Sequence, residues 1–230
     1  MRVAVMFSGG KDSTYAVWLL QHQAWTIPVL VTVKPPSTES FMFHYPGIEA
    51  SGLQAQALRI PQVVVETKPG DREGLEDLTK TLDRLKQEFG IGGIATGAVA
   101  SEYQKTRFDR VCESLGLQSY SPLWQKSPGR IVEGLMQLNM KIIVTGVAAR
   151  GLDESWLGRE LDVKAWEDLK RISQRYGIHL TGEGGEYESL VLDGPTFEAA
   201  VRIEKMHKVW EGQSGHVVID EALLVEKSPG

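Results

Sequence analysis

The sequence predicts an α/β protein: a domain built on a parallel sheet, followed by a smaller α+β domain. Three observations carry this. Strand-like and helix-like stretches alternate through the first 120 or so residues. The strands are continuous apolar runs, as expected of a sheet covered on both faces. Beyond that point the pattern changes to shorter strands and turns. The boundary is placed between residues 122 and 123, giving domains of 1–122 and 123–230.

Each element has its own reason. Arg2–Phe7 reads as a buried strand, Ser8-Gly9-Gly10 as a turn, and Asp12–Gln23 as a helix. Ile27–Val33 is a second strand, mostly apolar and rich in β-branched residues. Gln54–Leu58 ends a helix, and Gln62–Val65 is a short strand. Leu75, Leu78, Leu82, Leu85 and Phe89 recur at the spacing of an amphipathic helix over Arg72–Phe89. Gly93–Thr96 follows as a strand and Ser101–Leu115 as a helix. In the second half, Lys141–Val147 reads as a buried strand and Val163–Tyr176 as a helix. Ser189–Leu192, Glu198–Lys205 and His216–Val225 are short strands, and Ser127-Pro128-Gly129 and Leu192-Asp193-Gly194-Pro195 are turns.

Composition narrows the classes. Apolar residues make up 42% and charged residues 24%, so disordered, coiled-coil and collagen-like chains are excluded. The lone Cys112 excludes an intrachain disulfide framework and a cysteine-rich zinc site, and its apolar spacing reads as a buried small hydrophobe. No apolar run is long enough to span a membrane, and the glycine motif follows the first strand too closely for a signal peptide. A cytoplasmic location is expected. The net charge of −5 falls mostly after residue 120, and no Lys/Arg run exceeds two, which makes nucleic acid an unlikely main partner.

The sharpest feature is Ser8-Gly9-Gly10-Lys11-Asp12-Ser13, placed between the first strand and the first helix. Glycine lets a backbone approach a phosphate, and helix-start N–H groups with the helix dipole favour an anion. Ser8 and Ser13 add hydroxyl donors and Lys11 adds a charge on what reads as an exposed loop. Asp12 is either a first-turn acid or a ligand for Mg²⁺. Val5 and Asp12 stand where a Walker loop needs glycine and Ser/Thr, and no Gly-x-Gly-x-x-Gly is present.

These six residues resemble the loop of the ATP pyrophosphatase (PP-loop) superfamily, whose members split ATP between the α- and β-phosphates on a five-stranded parallel sheet. Further stretches resemble one family within it, the diphthine–ammonia ligases. They are Ser40–His44, Gly97–Arg107 with Pro122-Leu123-Trp124, Gly151–Gly158, and Gly182-Glu183-Gly184-Gly185-Glu186-Tyr187-Glu188-Ser189. Phe41 stands where the family shows tyrosine. The resemblance implies amidation of diphthine, a modified histidine of translation elongation factor 2, with ATP and ammonium as co-substrates and AMP and pyrophosphate as products. It resembles the short archaeal form, and free ammonium is the implied nitrogen source.

Residue roles follow as expectations. Ser8–Ser13, His44, Gly97, Gln104 and Arg107 are expected at the nucleotide, the last two facing one side at i,i+3. The clustered Glu183, Glu186 and Glu188 need a cation partner, and Mg²⁺, ammonium and a quaternary ammonium all qualify. Glu183 and Glu186 are the expected proton acceptors beside Lys11 as the third catalytic group. Tyr103, Tyr187, Glu154 and Trp156 are expected at the second substrate, with Trp156 as a cation cage. The rival readings are another PP-loop adenylating ligase, acting on tRNA or a small molecule, and a non-catalytic nucleotide-binding protein. The residues leave a homo-oligomer open.

Overall fold

A computed structural model describes residues 1–34, 47–67 and 71–227 of the 230. The first sheet is parallel, with strands β1 (Val3–Met6), β2 (Leu30–Lys34), β3 (Gln62–Glu66), β4 (Gly93–Ala95) and β5 (Gln118–Tyr120). Their spatial order is β3-β2-β1-β4-β5. Helices α1 (Lys11–His22), α2 (Gly47–Ala57), α3 (Asp71–Phe89) and α4 (Glu102–Ser114) make the crossovers. All four residues of β1 are buried, because helices or strands cover both faces.

Two apolar layers flank this sheet. On one face Ala4, Met6, Val31 and Ile94 pack with Leu78, Leu82 and Leu85 of α3 and with Val111 and Cys112 of α4. Cys112 is the buried hydrophobe that its spacing implies, and burial pushes its thiol up to about 11. On the other face Val3, Val5 and Phe7 share a core with Val17 and Leu20 of α1 and with Val144, Tyr187 and Val191 from the second half of the chain.

The second sheet is antiparallel, with β6 (Lys141–Val147), β7 (Tyr187–Asp193), β8 (Ala199–Glu211) and β9 (Ser214–Glu226) in the order β7-β6-β9-β8. α5 (Pro128–Gln137) precedes it and α6 (Val163–Tyr176) follows β6. Asp162 caps α6, its Oδ1 accepting from the Ala165 amide at 2.7 Å, and Gly177 closes it at φ 74°.

Three elements depart from the sequence expectation. Pro128 opens a helix rather than a turn, since proline suits the first helical position. β5 is only three residues long and was not foreseen. β8 runs six residues past Lys205, because Lys205–Lys208 lie on an exposed strand that needs no apolar alternation.

Candidate active site

β1 and β4 are neighbours, and the chain leaves β1 toward β2 on one side and β4 toward β5 on the other. This is the topological switch point of the sheet, where the loops after the two strands open a crevice. The Ser8–Ser13 loop follows β1 and the Gly97–Ser101 turn follows β4, so both lie at its mouth.

The loop is tied within itself and to the second sheet. Ser8 Oγ and Ser13 Oγ are 3.2 Å apart, the Gly10 amide donates to Ser8 Oγ, and Ser13 Oγ donates to the Gly10 carbonyl. Gly9 takes φ 80°, a left-handed conformation that glycine adopts without strain. Its carbonyl accepts from the Val191 amide at 3.1 Å and from Gln54 Nε2 at 2.8 Å. Gln54 Nε2 also reaches the Val191 carbonyl, and the Lys11 amide donates to Ser189 Oγ at 3.2 Å. The loop therefore satisfies the outer edge of β7, which would otherwise present unpaired backbone groups. Gln54 is a site residue that sequence reasoning missed; a fully buried glutamine on a helix was the available signal, and only a structure reveals its burial. Gly10 is the N-cap of α1 and brings no side-chain cap, so the helix end keeps donor capacity for an anion.

Lys11 is not the exposed loop lysine that the motif suggests. It is 3% exposed. Its Nζ donates to Asp12 Oδ2 at 2.7 Å and to the Thr181 carbonyl at 2.5 Å, and lies 5.0 Å above the Tyr187 ring. The reason is the docking of β7 and the residues before it over the start of α1. Tyr187 forms the floor under Lys11, with its hydroxyl donating to the Leu180 carbonyl at 2.9 Å. Burial, then the charges of Asp12, Glu186 and Glu188, raise its pKa well above the usual tyrosine value.

Asp12 has one oxygen on Lys11; the other, Oδ1, is buried without a hydrogen-bond partner. Burial raises its pKa above the usual value, against the lowering effect of Lys11; Glu183 adds to the rise and His179 opposes it. The Glu188 carboxyl is raised too, chiefly by desolvation although the residue stays exposed to solvent, with Lys11 opposing and Asp12 adding. His179 is a second residue missed from sequence; its Nδ1 lies 2.9 Å from Thr181 Oγ1. Because native Asp12 binds its proton more tightly than unfolded Asp12, its contribution to stability is present at low pH. That contribution is lost as pH rises from the ordinary 3.8 through the raised value. Asp12→Asn is expected to flatten this fall, measured by urea unfolding across a pH series. Equal slopes for the two proteins would show that Asp12 carries no burial penalty.

The acidic motif folds back on itself. Gly182 and Gly185 have φ values of 72° and 80°, which turn the chain ahead of β7. Glu186 braces this turn, Oε1 accepting from the His179 amide at 2.6 Å and Oε2 from the Gly184 amide at 2.8 Å. Glu183 Oε1 accepts from the amides of Val99, Ala100 and Ser101 at 3.0, 2.8 and 2.9 Å. Glu183 and Glu186, the expected proton acceptors, thus each accept from backbone amides in this fold. Both oxygens of Glu186 and one of Glu183 are engaged by backbone donors. Asp12 and Glu188 are the carboxyls whose pKa values the site raises.

The remaining expected residues fall in three groups. Gly97 packs directly on α1: a Cβ there would lie 2.7 Å from the Ser13 amide nitrogen. Tyr103 is 62% exposed on α4, with the Arg107 guanidinium stacked 4.5 Å from its ring and donating to its hydroxyl. Trp156 is corrected from cation cage to core: it is 5% exposed and Arg159 covers its ring at 4.3 Å. Glu154 is exposed in the adjoining turn, where its carbonyl accepts from Lys208 Nζ. His44 and the side chain of Gln104 lie outside the described residues.

Among the described residues no group of three His, Cys, Asp or Glu is arranged to hold a metal by itself. The orphaned Asp12 Oδ1 still fits Mg²⁺, which is commonly held by one or two carboxylates with phosphate oxygens completing its shell. No described helix is long and apolar enough to cross a membrane.

Residues 1–119 match the family described as the diphthamide synthase N-terminal domain, and residues 127–225 its C-terminal domain. The chain is 34% identical over 230 residues to a diphthine–ammonia ligase of Bos taurus, covering 91% of this chain and 85% of the relative. The Homo sapiens diphthine–ammonia ligase is 32% identical over 231 residues at the same coverage. The ligase of Schizosaccharomyces pombe is 31% identical over 235 residues, which are 38% of that longer protein.

Proposed function

Because this chain belongs to the diphthamide synthase family, we propose that it amidates diphthine on translation elongation factor 2, consuming ATP and ammonium. The observation that carries the reading is the Ser8–Ser13 loop at the sheet's switch point, roofed by the Gly182–Ser189 motif. A rival adenylating ligase would share the loop, and a nucleotide sensor would need neither the buried acid nor the roof.

The chemistry runs in two steps. The diphthine carboxylate attacks the α-phosphorus of ATP, and the bond to the β-phosphate bridging oxygen breaks as pyrophosphate leaves. Ammonia then attacks the acyl carbonyl, loses a proton, and expels AMP. Step one brings an anion to a polyanion, so positioning and charge neutralisation carry it. The Ser8–Ser13 loop and the start of α1 hold the phosphates, and Arg107, with Gln104 and His44, serves the nucleotide. Lys11 acts from below the loop: it holds Asp12 in place and adds positive charge without leaving the core. Asp12 would hold Mg²⁺ through its unpartnered Oδ1, and the ion would supply charge neutralisation on the phosphates. Glu188, with its raised pKa, receives the ammonium and accepts its proton. Tyr103 and Glu154 remain exposed for the partner protein. In this reading residues 1–122 bind ATP and residues 123–230 present the second substrate.

The test is amide formation on elongation factor 2 bearing diphthine. One AMP and one pyrophosphate per amide, both dependent on the modified factor and on ammonium, is the expected result. AMP release that ignores the factor but responds to tRNA or a small acid would move the chain to the rival ligases.

A further inference from the structure

The Glu183 carboxylate is placed unlike the other acids of its motif. Its Oε1 accepts from three consecutive amides, Val99, Ala100 and Ser101, more than eighty residues away in sequence. Those amides lead into α4: the Ser101 carbonyl accepts from the Lys105 amide, so Ser101 caps the helix that bears Tyr103 and Arg107. The same turn begins at Gly97, which sits directly on the Asp12–Ser13 backbone. One carboxylate from the second half of the chain thus gathers the donors of the turn that contacts the phosphate loop. It also bears electrostatically on Asp12, whose pKa its charge raises.

We propose that Glu183 is a positioning residue, a latch that fastens the Val99–Ser101 turn and the start of α4 against the phosphate loop, and is not the proton acceptor of the amidation. This rests on the ligase reading only for its activity readouts. The physical argument is one of donors. Three backbone N–H groups converging at a helix start have no intrahelical partner and favour a negatively charged acceptor. A charged acceptor binds such a set roughly twice as strongly as a neutral one. An oxygen saturated by three donors is held in one place, which suits a strut. A base must be open to its substrate, which here leaves only Oε2 and makes the glutamine variant the deciding comparison.

The experiment compares Glu183→Gln with Glu183→Ala. The glutamine carbonyl still accepts from the three amides; alanine removes the acceptor. Glu183→Ala is expected to speed hydrogen exchange at the Val99–Ser101 amides and to weaken ATP binding about tenfold, the loss of one charged hydrogen-bond set. Glu183→Gln is expected to recover most of both. It should also recover most of the amidation rate and keep the wild-type pH profile of kcat. Should Glu183→Ala fail to fold, Glu183→Gln decides alone. If Glu183→Gln kept amide protection and ATP affinity but abolished amide formation, the latch would be wrong and Glu183 would be the base. Unprotected Val99–Ser101 amides in the wild-type protein would equally overturn it. A wild-type protein that binds ATP yet forms no amide would refute the assigned reaction alone, since exchange and ATP affinity still decide the latch.

Discussion

Lys11→Ala is expected to lower stability by about 3 kcal/mol, in addition to abolishing adenylation. A motif lysine on an exposed loop would cost the fold almost nothing. This one is 3% exposed, and its ammonium joins Asp12 Oδ2 to the Thr181 carbonyl. Removing one partner of a buried pair leaves the other charge uncompensated, at a cost of about 3–5 kcal/mol. Here Asp12 would lose its ion pair with Lys11, and its second oxygen has no hydrogen-bond partner among the described residues. Two corollaries separate this account from simple loss of packing. The destabilisation should shrink at low pH, where Asp12 takes up a proton and no longer needs Lys11. It should also be partly repaired by adding Asp12→Asn, which removes the stranded charge while restoring no activity. Denaturant unfolding of the two single variants and the double variant at pH 4 and pH 7 measures both. Additive losses, independent of pH, would refute the buried-pair account.

Gly97→Ala is expected to reduce ATP–pyrophosphate exchange by about a hundredfold, the scale of loss when reacting groups shift by about 1 Å. The added Cβ would meet Ser13 N at 2.7 Å, Asp12 C at 2.8 Å and Asp12 O at 3.0 Å. All three are backbone atoms, so no rotamer relieves the contact. Either the phosphate loop moves away from β4, or the Val99–Ser101 turn moves away from Glu183. Overpacking of this kind costs about 1–3 kcal/mol as well. The control is Gly129→Ala in α5, where a Cβ meets nothing within 4 Å and the added helix propensity should hold or raise stability. Wild-type exchange in Gly97→Ala, with an unchanged unfolding midpoint, would show that the turn and the loop are not coupled.

Local signals were sufficient for much of this protein. Strand β1 was legible because four apolar residues in a row, Val3 to Met6, leave a strand covered on both faces as the simplest account. Helix α3 was legible because its leucines keep one face. The phosphate loop was legible because Gly9 and Gly10 followed by a helix start have few other uses. α5 was read as a turn because Pro and Gly are punctuation in most contexts, and position within a helix is not visible locally.

The surroundings of each charged side chain came from long-range packing. Lys11, Asp12, Glu183 and Glu188 were all recognisable as site residues, yet nothing in their spacing says which is buried. Burial depends on β7 docking against the loop through Ser189, Val191 and Gln54, contacts that span up to 182 positions of sequence, from Gly9 to Val191. The same holds for Trp156, whose composition suggested a cation cage and whose ring Arg159 already occupies. Desolvation and hydrogen-bond partners set a carboxylate's role, and both come from distant chain. Local pattern was enough for strands β1 to β4, the Ser8–Ser13 loop and the set of acidic residues. The fold decided which acid braces backbone and which carries a raised pKa, because pairing is a property of space and not of order along the chain.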